Sequence, residues 1–287
     1  MKRIEPPYVL LQMDEHEWRF EPSDEIREVG QRFWQLMEDY AGTKKFTPQL
    51  RKLLNDHPDH IDALHHYVLC KLDEGKPLDA YAFAHTAVAI GKAAFPAEFT
   101  LGKDRLPGGF IENRPFLRAM HGLMMAQWAV FKRDEAIQTG KELLNYDRED
   151  RSGSRLLLAE YLVDEHRDHD ALALFAEPDL KDTFDVAHYL EALAFLRLGK
   201  EDKARKALEP CLKYHPQVAR FILEPLTPCP EEGSAFGGIT VGSPYEGWYY
   251  GTNYSWAWNT PKAAKEFLSK LTAPIAAAGW KRGFENQ

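Results

Sequence analysis

Apolar and polar positions repeat along most of this chain at helical spacing, and the helices they predict come in pairs. The clearest pair is FDVAHYLEALAFLRLGKEDKARKALEPCLKYHP, from Phe184 to Pro216. In its first half Ala187, Leu190, Leu193 and Ala194 fall at helical spacing. Gly199 ends that helix, at a position that favours a left-handed residue. Glu201 and Asp202 open the second helix, as the positive end of a helix dipole prefers, and Pro216 stops it.

The same pattern recurs upstream. Ala136 in RDEAIQTGKELL and Ala171 in RDHDALALF take the place that Ala204 takes in KEDKARKAL, at separations of 35 and 33 residues. Ala80, after Gly75, plays the same role 56 residues before Ala136. The excess falls on FPAEFTLGKDRLPGGFIENRP, whose Pro and Gly residues mark an inserted loop near 95–115. A period of about 34 with a small residue in the second helix is the signature of the tetratricopeptide repeat (TPR). The small residue lets the paired helices approach closely. PQLRKLLNDHPDH and SDEIREVGQRFWQLMEDY predict earlier helices, the second capped by Ser23. YVLLQ, ahead of them, is too short to classify.

The C-terminal stretch GSPYEGWYYGTNYSWAW carries seven aromatic residues. Ser243, Pro244 and Glu246 form a capping-box pattern that predicts a helix here. Gly247 and Gly251 weaken it, each by roughly 1 kcal/mol relative to Ala. At 100° per residue, Tyr245, Trp248, Tyr249, Thr252 and Trp256 share one face, and Tyr250, Tyr254 and Trp258 the opposite one. The second face is either covered by the following helix, TPKAAKEFLSKL, or open as an aromatic surface. The covered cap is the favoured reading. The expected architecture is all-α: a TPR-like helix-pair solenoid with an aromatic-rich helical C-terminal cap. Residues 1–22 form an N-terminal extension, 23–226 the repeats, and 227–287 a loop and capping helices.

Three blocks resemble a known family: ENRPFLRAMHGL (112–123), LLNYDREDRSGSRLLL (143–158) and YHPQVARFIL (214–223). They are similar to blocks of TPR proteins related to the suppressor-of-tumorigenicity (ST7-like) family, which has soluble bacterial members. The resemblance covers about residues 80–268, with Asn113, Arg114, Pro115, Arg118, Asp150, Gly153, Arg155, Pro216, Val218, Glu246 and Trp258 on matching positions. The turn in the second block is two residues longer than the family pattern and lacks its Asn-Pro-Asn core. The membrane segments of the eukaryotic members are absent. The resemblance implies a helical-repeat interaction protein with no established chemistry.

The net charge of −8 argues against nucleic acid as partner, because phosphate contacts need a basic surface. Residues 1–40 hold ten Asp/Glu against five Lys/Arg, and 260–287 hold two against five. Three cysteines without a C-x-x-C pair, no signal peptide and no membrane-spanning run predict a reduced, cytoplasmic protein. No phosphate-binding loop appears, and Gly-rich FGGITVGSP reads as a flexible loop. His57, His60, His65 and His66 read as solvated or helix-capping rather than metal ligands, since Pro58 separates the first from the rest. No cofactor or catalytic motif is found. Arg114 and Arg118 lie one turn apart at a helix start, and Arg155 opens the next repeat. With Asn113 they form the candidate site for an acidic peptide or protein partner on the concave face. Salt links between repeats would use the same arginines. The leading expectation is therefore a non-catalytic scaffold. The rival is an enzyme or small-molecule sensor whose pocket uses the 95–112 loop and the aromatic C-terminal segment.

Overall fold

The protein is described here by a computed structural model covering residues 6–177, 185–230 and 239–281. It divides into two compact units, Met1–Leu158 and Ala159–Gln287. The first unit begins with an antiparallel hairpin, β1 (Tyr8–Asp14) and β2 (Glu17–Pro22), paired Tyr8 to Pro22 and Leu10 to Phe20. Helices α1 (Asp24–Tyr40), α2 (Phe46–Asp56), α3 (Ile61–Asp73), α4 (Pro77–Lys92), α5 (Arg114–Ala129) and α6 (Arg133–Tyr146) follow. The division falls inside α7 (Ser154–Asp164). The second unit continues with α8 (Asp168–Phe175), α9 (His188–Arg197), α10 (Glu201–Tyr214), α11 (Pro216–Leu223), α12 (Pro244–Ser255) and α13 (Lys262–Ala277).

Helix dominates, and the pairs are built on one repeated turn. Gly75, Phe131, His166 and Gly199 all have positive φ, at 68°, 64°, 55° and 69°. Each is followed by a basic residue whose backbone N–H bonds back to the carbonyl five residues earlier. The four bonds run from Lys76 to Lys71, Lys132 to Gln127, Arg167 to Leu162 and Lys200 to Phe195, at 2.8–2.9 Å. This is the Schellman closure of a helix C-terminus. Each left-handed residue lies five positions before a fully buried alanine, Ala80, Ala136, Ala171 and Ala204. The turn and the small residue thus recur as one cassette, in the pairs α3/α4, α5/α6, α7/α8 and α9/α10. This is the TPR-like helix-pair grammar that the sequence period predicts.

The hairpin is the departure from all-α. Its alternation buries Tyr8, Leu10, Trp18 and Phe20 and exposes Val9 and Leu11, the period of a strand. Phe20 packs on Phe95 and Phe116, and Phe95 also meets Phe99 and Tyr146. One aromatic cluster therefore joins β2, the inserted loop, α5 and α6. The insert is also tied by its backbone. Trp18 N–H donates to Arg105 O, Arg105 N–H to His16 O, and Leu106 N–H to Tyr146 O. The N-terminal segment is thus core of the first unit, where the sequence suggested an extension.

In the second unit Arg197, its side chain 6% exposed, binds four acceptors. They are the carbonyls of Val163, Ala257 and Thr260 and the carboxylate of Asp168. Ser243 caps α12 by accepting from Glu246 N–H at 3.1 Å. Glu246 does not close the capping box on Ser243. Its carboxylate takes Gly242 N–H at 2.6 Å and pairs with His215 Nδ1 at 2.9 Å instead. The two glycines of α12 lie against α11: a Cβ on Gly247 would sit 2.5 Å from Gln217 Cβ, and one on Gly251 2.6 Å from Val218 O.

Candidate functional site

A cleft of about 650 Å³ opens in the first unit, lined by residues of α3, α5, the inserted loop and the turn before α7. Its basic lining is Arg114, Arg118 and Arg151, with His65 and His121 beside them; Leu69, Leu117 and Met125 supply apolar wall.

Gly108 is the pivot. Its carbonyl accepts Arg114 Nε at 2.9 Å, and its N–H donates to Asp147 Oδ1 at 3.2 Å. A Cβ there would lie 3.2 Å from Arg151 Cβ and Cδ and 2.6 Å from Asp147 Oδ2, so only Gly allows the approach. The stems of Arg114 and Arg151 therefore meet across one residue of the insert. Apart from the bond to Gly108, Arg114 has no hydrogen-bond or ion-pair partner among the described residues. Arg151 Nε bonds Glu149 at 3.0 Å, but both side chains are more than half exposed. Such a pair contributes little.

Arg118 is committed elsewhere. Its Nε and Nη2 form a bidentate pair with Asp62 at 2.9 and 2.8 Å, and the Asp62 carboxylate is buried. Removing the arginine would strand that charge, at a cost of about 3–5 kcal/mol.

His121 Nδ1 shares a 2.8 Å hydrogen bond with Ser154 Oγ, which in turn meets Ser152 Oγ at 2.7 Å. These are the atoms of a base and a nucleophile, yet Ser154 is wholly buried, so no substrate carbonyl reaches it. Burial lowers the pKa of His121. Burial, then the charges of His66, Arg118 and His121, hold His65 well below the ordinary imidazole range. Both imidazoles are therefore neutral at pH 7.

The sequence-predicted residues separate here. Arg114 and Arg118 line the cleft. Asn113 does not: it is fully buried, its Oδ1 accepting Phe20 N–H and its Nδ2 donating to the Trp18 and Pro107 carbonyls. It fastens the hairpin and insert to the start of α5. Arg155 is also buried, with its guanidinium on the Arg148 carbonyl and its N–H on Asp150. Neither is placed to meet a partner. Arg151, which sequence reasoning missed, is.

The aromatic surface is corrected in the same way. Tyr254 and Trp258 are buried, Tyr250 is half-buried, and Tyr249 and Trp256 are the exposed aromatics. The glycine edge of α12 lies on α11, which turns Tyr254 inward and the Tyr249 side outward. Among the histidines, His60 caps α3, its Nδ1 accepting Ala63 N–H at 3.1 Å. His65 is buried rather than solvated. Among the described residues no group of three or more His, Cys, Asp or Glu is arranged to hold a metal ion. None of the described helices is long and apolar enough to cross a membrane. Residues 236–238 of the Gly-rich stretch lie outside the described residues.

A family profile described as transcriptional repressor TCF25 matches residues 18–232, most of the chain. The chain belongs to the TCF25 family. All three blocks that suggested the ST7-like family fall within that match, so that resemblance is corrected: they belong to the TCF25 pattern. Two solved structures are similar to this TCF25-family chain. Both are of Podosopora anserina putative kinesin light chain nearly identical TPR-like repeats, one of them a point variant. The variant has a TM-score of 0.43 at 17% identity, over 78% of this chain and 99% of that one. The other has 0.42 at 17%, over 77% and 98%. No curated protein matches.

Proposed function

We propose that this TCF25-family protein is a non-catalytic interaction module, which holds an acidic segment of a protein partner in the cleft of its first unit. One observation carries this reading: Arg114 and Arg151 converge on Gly108 in an open cleft, and among the described residues no carboxylate forms an ion pair with Arg114. Exposed guanidinium groups with free donors bind carboxylates by charge-assisted, often bidentate hydrogen bonds. The apolar wall of Leu69, Leu117 and Met125 gives a peptide side chain surface to bury. Helix-pair folds are interaction platforms in general, and the family description, transcriptional repressor, is a role that needs no chemistry of its own.

The test is a pull-down from native lysate with three baits: wild type, Arg114→Gln/Arg151→Gln, and Arg148→Gln, an exposed arginine outside the cleft. Partners retained by wild type and Arg148→Gln should be lost with the double variant. The same partners on all three baits would remove the cleft from the interaction.

A further inference from the structure

We infer that the group gripped in this cleft is a phosphate monoester, carried by a phosphorylated serine or threonine of the partner. The inference rests on the interaction reading above and specifies its ligand chemistry.

The charge balance of the cleft points this way. Of the three arginines, Arg118 is neutralised by the buried carboxylate of Asp62 in a two-point bond. Arg114 spends only Nε, on a neutral carbonyl, and both terminal nitrogens lack partners among the described residues. Arg151 holds Glu149 through an exposed pair that a buried or multiply charged ligand outcompetes. Arg114 and Arg151 therefore both approach Gly108; the fixed carboxylate there, Asp147, is buried and spent on the Gly108 and Arg151 N–H groups, and among the described residues it forms no ion pair with either guanidinium. A carboxylate brings one negative charge and would leave the second guanidinium unmatched. A phosphate monoester brings about 1.5 to 2 negative charges at pH 7 and three acceptor oxygens.

Neutral groups complete the set. Ser152 and His121 line the same cleft. His121 engages Ser154 through Nδ1, which leaves Nε2 for a ligand or solvent. Burial keeps this imidazole neutral, and a dianion placed beside it would favour its protonated, donating form.

The lining also selects the carrier. The wall residues are Leu69, Leu117 and Met125, and among the described residues no Phe, Tyr or Trp lines the cleft. A nucleobase finds no stacking platform there, whereas a peptide side chain next to the phosphorylated residue finds apolar surface.

The test uses the full chain and calorimetric titration with three capped pentapeptides: a central phosphoserine between alanines, and its Ser and Glu counterparts. Inorganic phosphate is a fourth probe. The phosphoserine peptide is expected to bind saturably, at least about tenfold more tightly than the Glu peptide, with no measurable binding of the Ser peptide. Arg151→Gln and Arg114→Gln should each weaken it about tenfold, and Arg148→Gln should leave it unchanged. Inorganic phosphate should compete. Thermal melting checks each variant, and Arg151, being exposed, decides the matter if Arg114→Gln disturbs the insert. Equal affinity for the Glu and phosphoserine peptides would overturn the phosphate assignment while leaving the acidic-segment reading intact. No saturable binding of the phosphopeptide, or binding indifferent to Arg151→Gln, would also overturn it. Failure of the interaction reading would show separately, as native partners indifferent to the cleft variants.

Discussion

Asn113 shows how much can hang on one side chain. It is fully buried and makes three hydrogen bonds to the backbone of β2 and the insert. Asn113→Ala should lower the stability of the first unit by about 2–3 kcal/mol, because Phe20 N–H and two carbonyls lose their partner in a dry site. Chemical denaturation measures this, and a loss below about 0.5 kcal/mol would contradict the role. Before α5, next to Arg114, this asparagine reads from sequence as a surface residue. Its partners Phe20 and Trp18 lie 93 and 95 positions away, beyond the reach of any local pattern. Arg151 is hidden for the opposite reason: in DREDR it looks like part of a solvated charge run, and only the approach of Gly108 makes it part of a site. Glu160, in the second unit, gives a pH signature. Burial, then the charge of Asp164, pushes its carboxyl up to about 8, with Tyr254 partly offsetting this. A raised acid holds its proton in the folded state where the unfolded state has lost it. Stability is therefore fully present below about pH 4.3 and falls as pH rises toward 8. Glu160→Gln should be more stable than wild type by about 1–2 kcal/mol at pH 8 and equal to it at pH 4. Parallel pH–stability curves for the two proteins would contradict this.

The repeated turn and the close helix contacts make predictions at the level of elements. Phe131 and His166 occupy the left-handed position that Gly75 and Gly199 fill in the sister turns. A side chain there costs roughly 1 kcal/mol, so His166→Gly should stabilise the protein by about that amount, despite placing glycine at a helix end. Thermal unfolding gives the sign, and destabilisation would mean the turn is not the shared closure. In α12 the expected sign is reversed. Helix propensity alone makes Gly247→Ala stabilising by roughly 1 kcal/mol. The added Cβ, however, would lie 2.5 Å from Gln217 Cβ and 2.6 Å from its carbonyl carbon. Gly247→Ala should destabilise the second unit by about 1–3 kcal/mol, and a rise in melting temperature would rule out the close α11–α12 approach. The helical period and the alanine positions were legible in the sequence because they are local and repeated. The glycines of α12 were legible only as helix weakeners, since the helix they press against is specified by packing. The hairpin was illegible for its brevity: five apolar-rich residues carry too little alternation to separate strand from helix.

At the scale of the molecule, a chain of net charge −8 carries a cleft lined by Arg114, Arg118 and Arg151. Composition alone pointed to an acidic protein and could not locate that exception. The chain belongs to the TCF25 family and is built of TPR-like helix pairs, and the proposed role is that of a module that holds partners. The claim on which the functional account turns is that the partner lies in the cleft. Photo-crosslinking tests it directly, with benzoylphenylalanine introduced at Met125, in the cleft wall, or at Leu78, which is 74% exposed on α4 and outside the cleft. A covalent adduct with the native partner should form from position 125 and none from position 78, the former abolished by Arg114→Gln/Arg151→Gln. Adducts from position 78 alone, or adducts from position 125 that survive the double substitution, would contradict it.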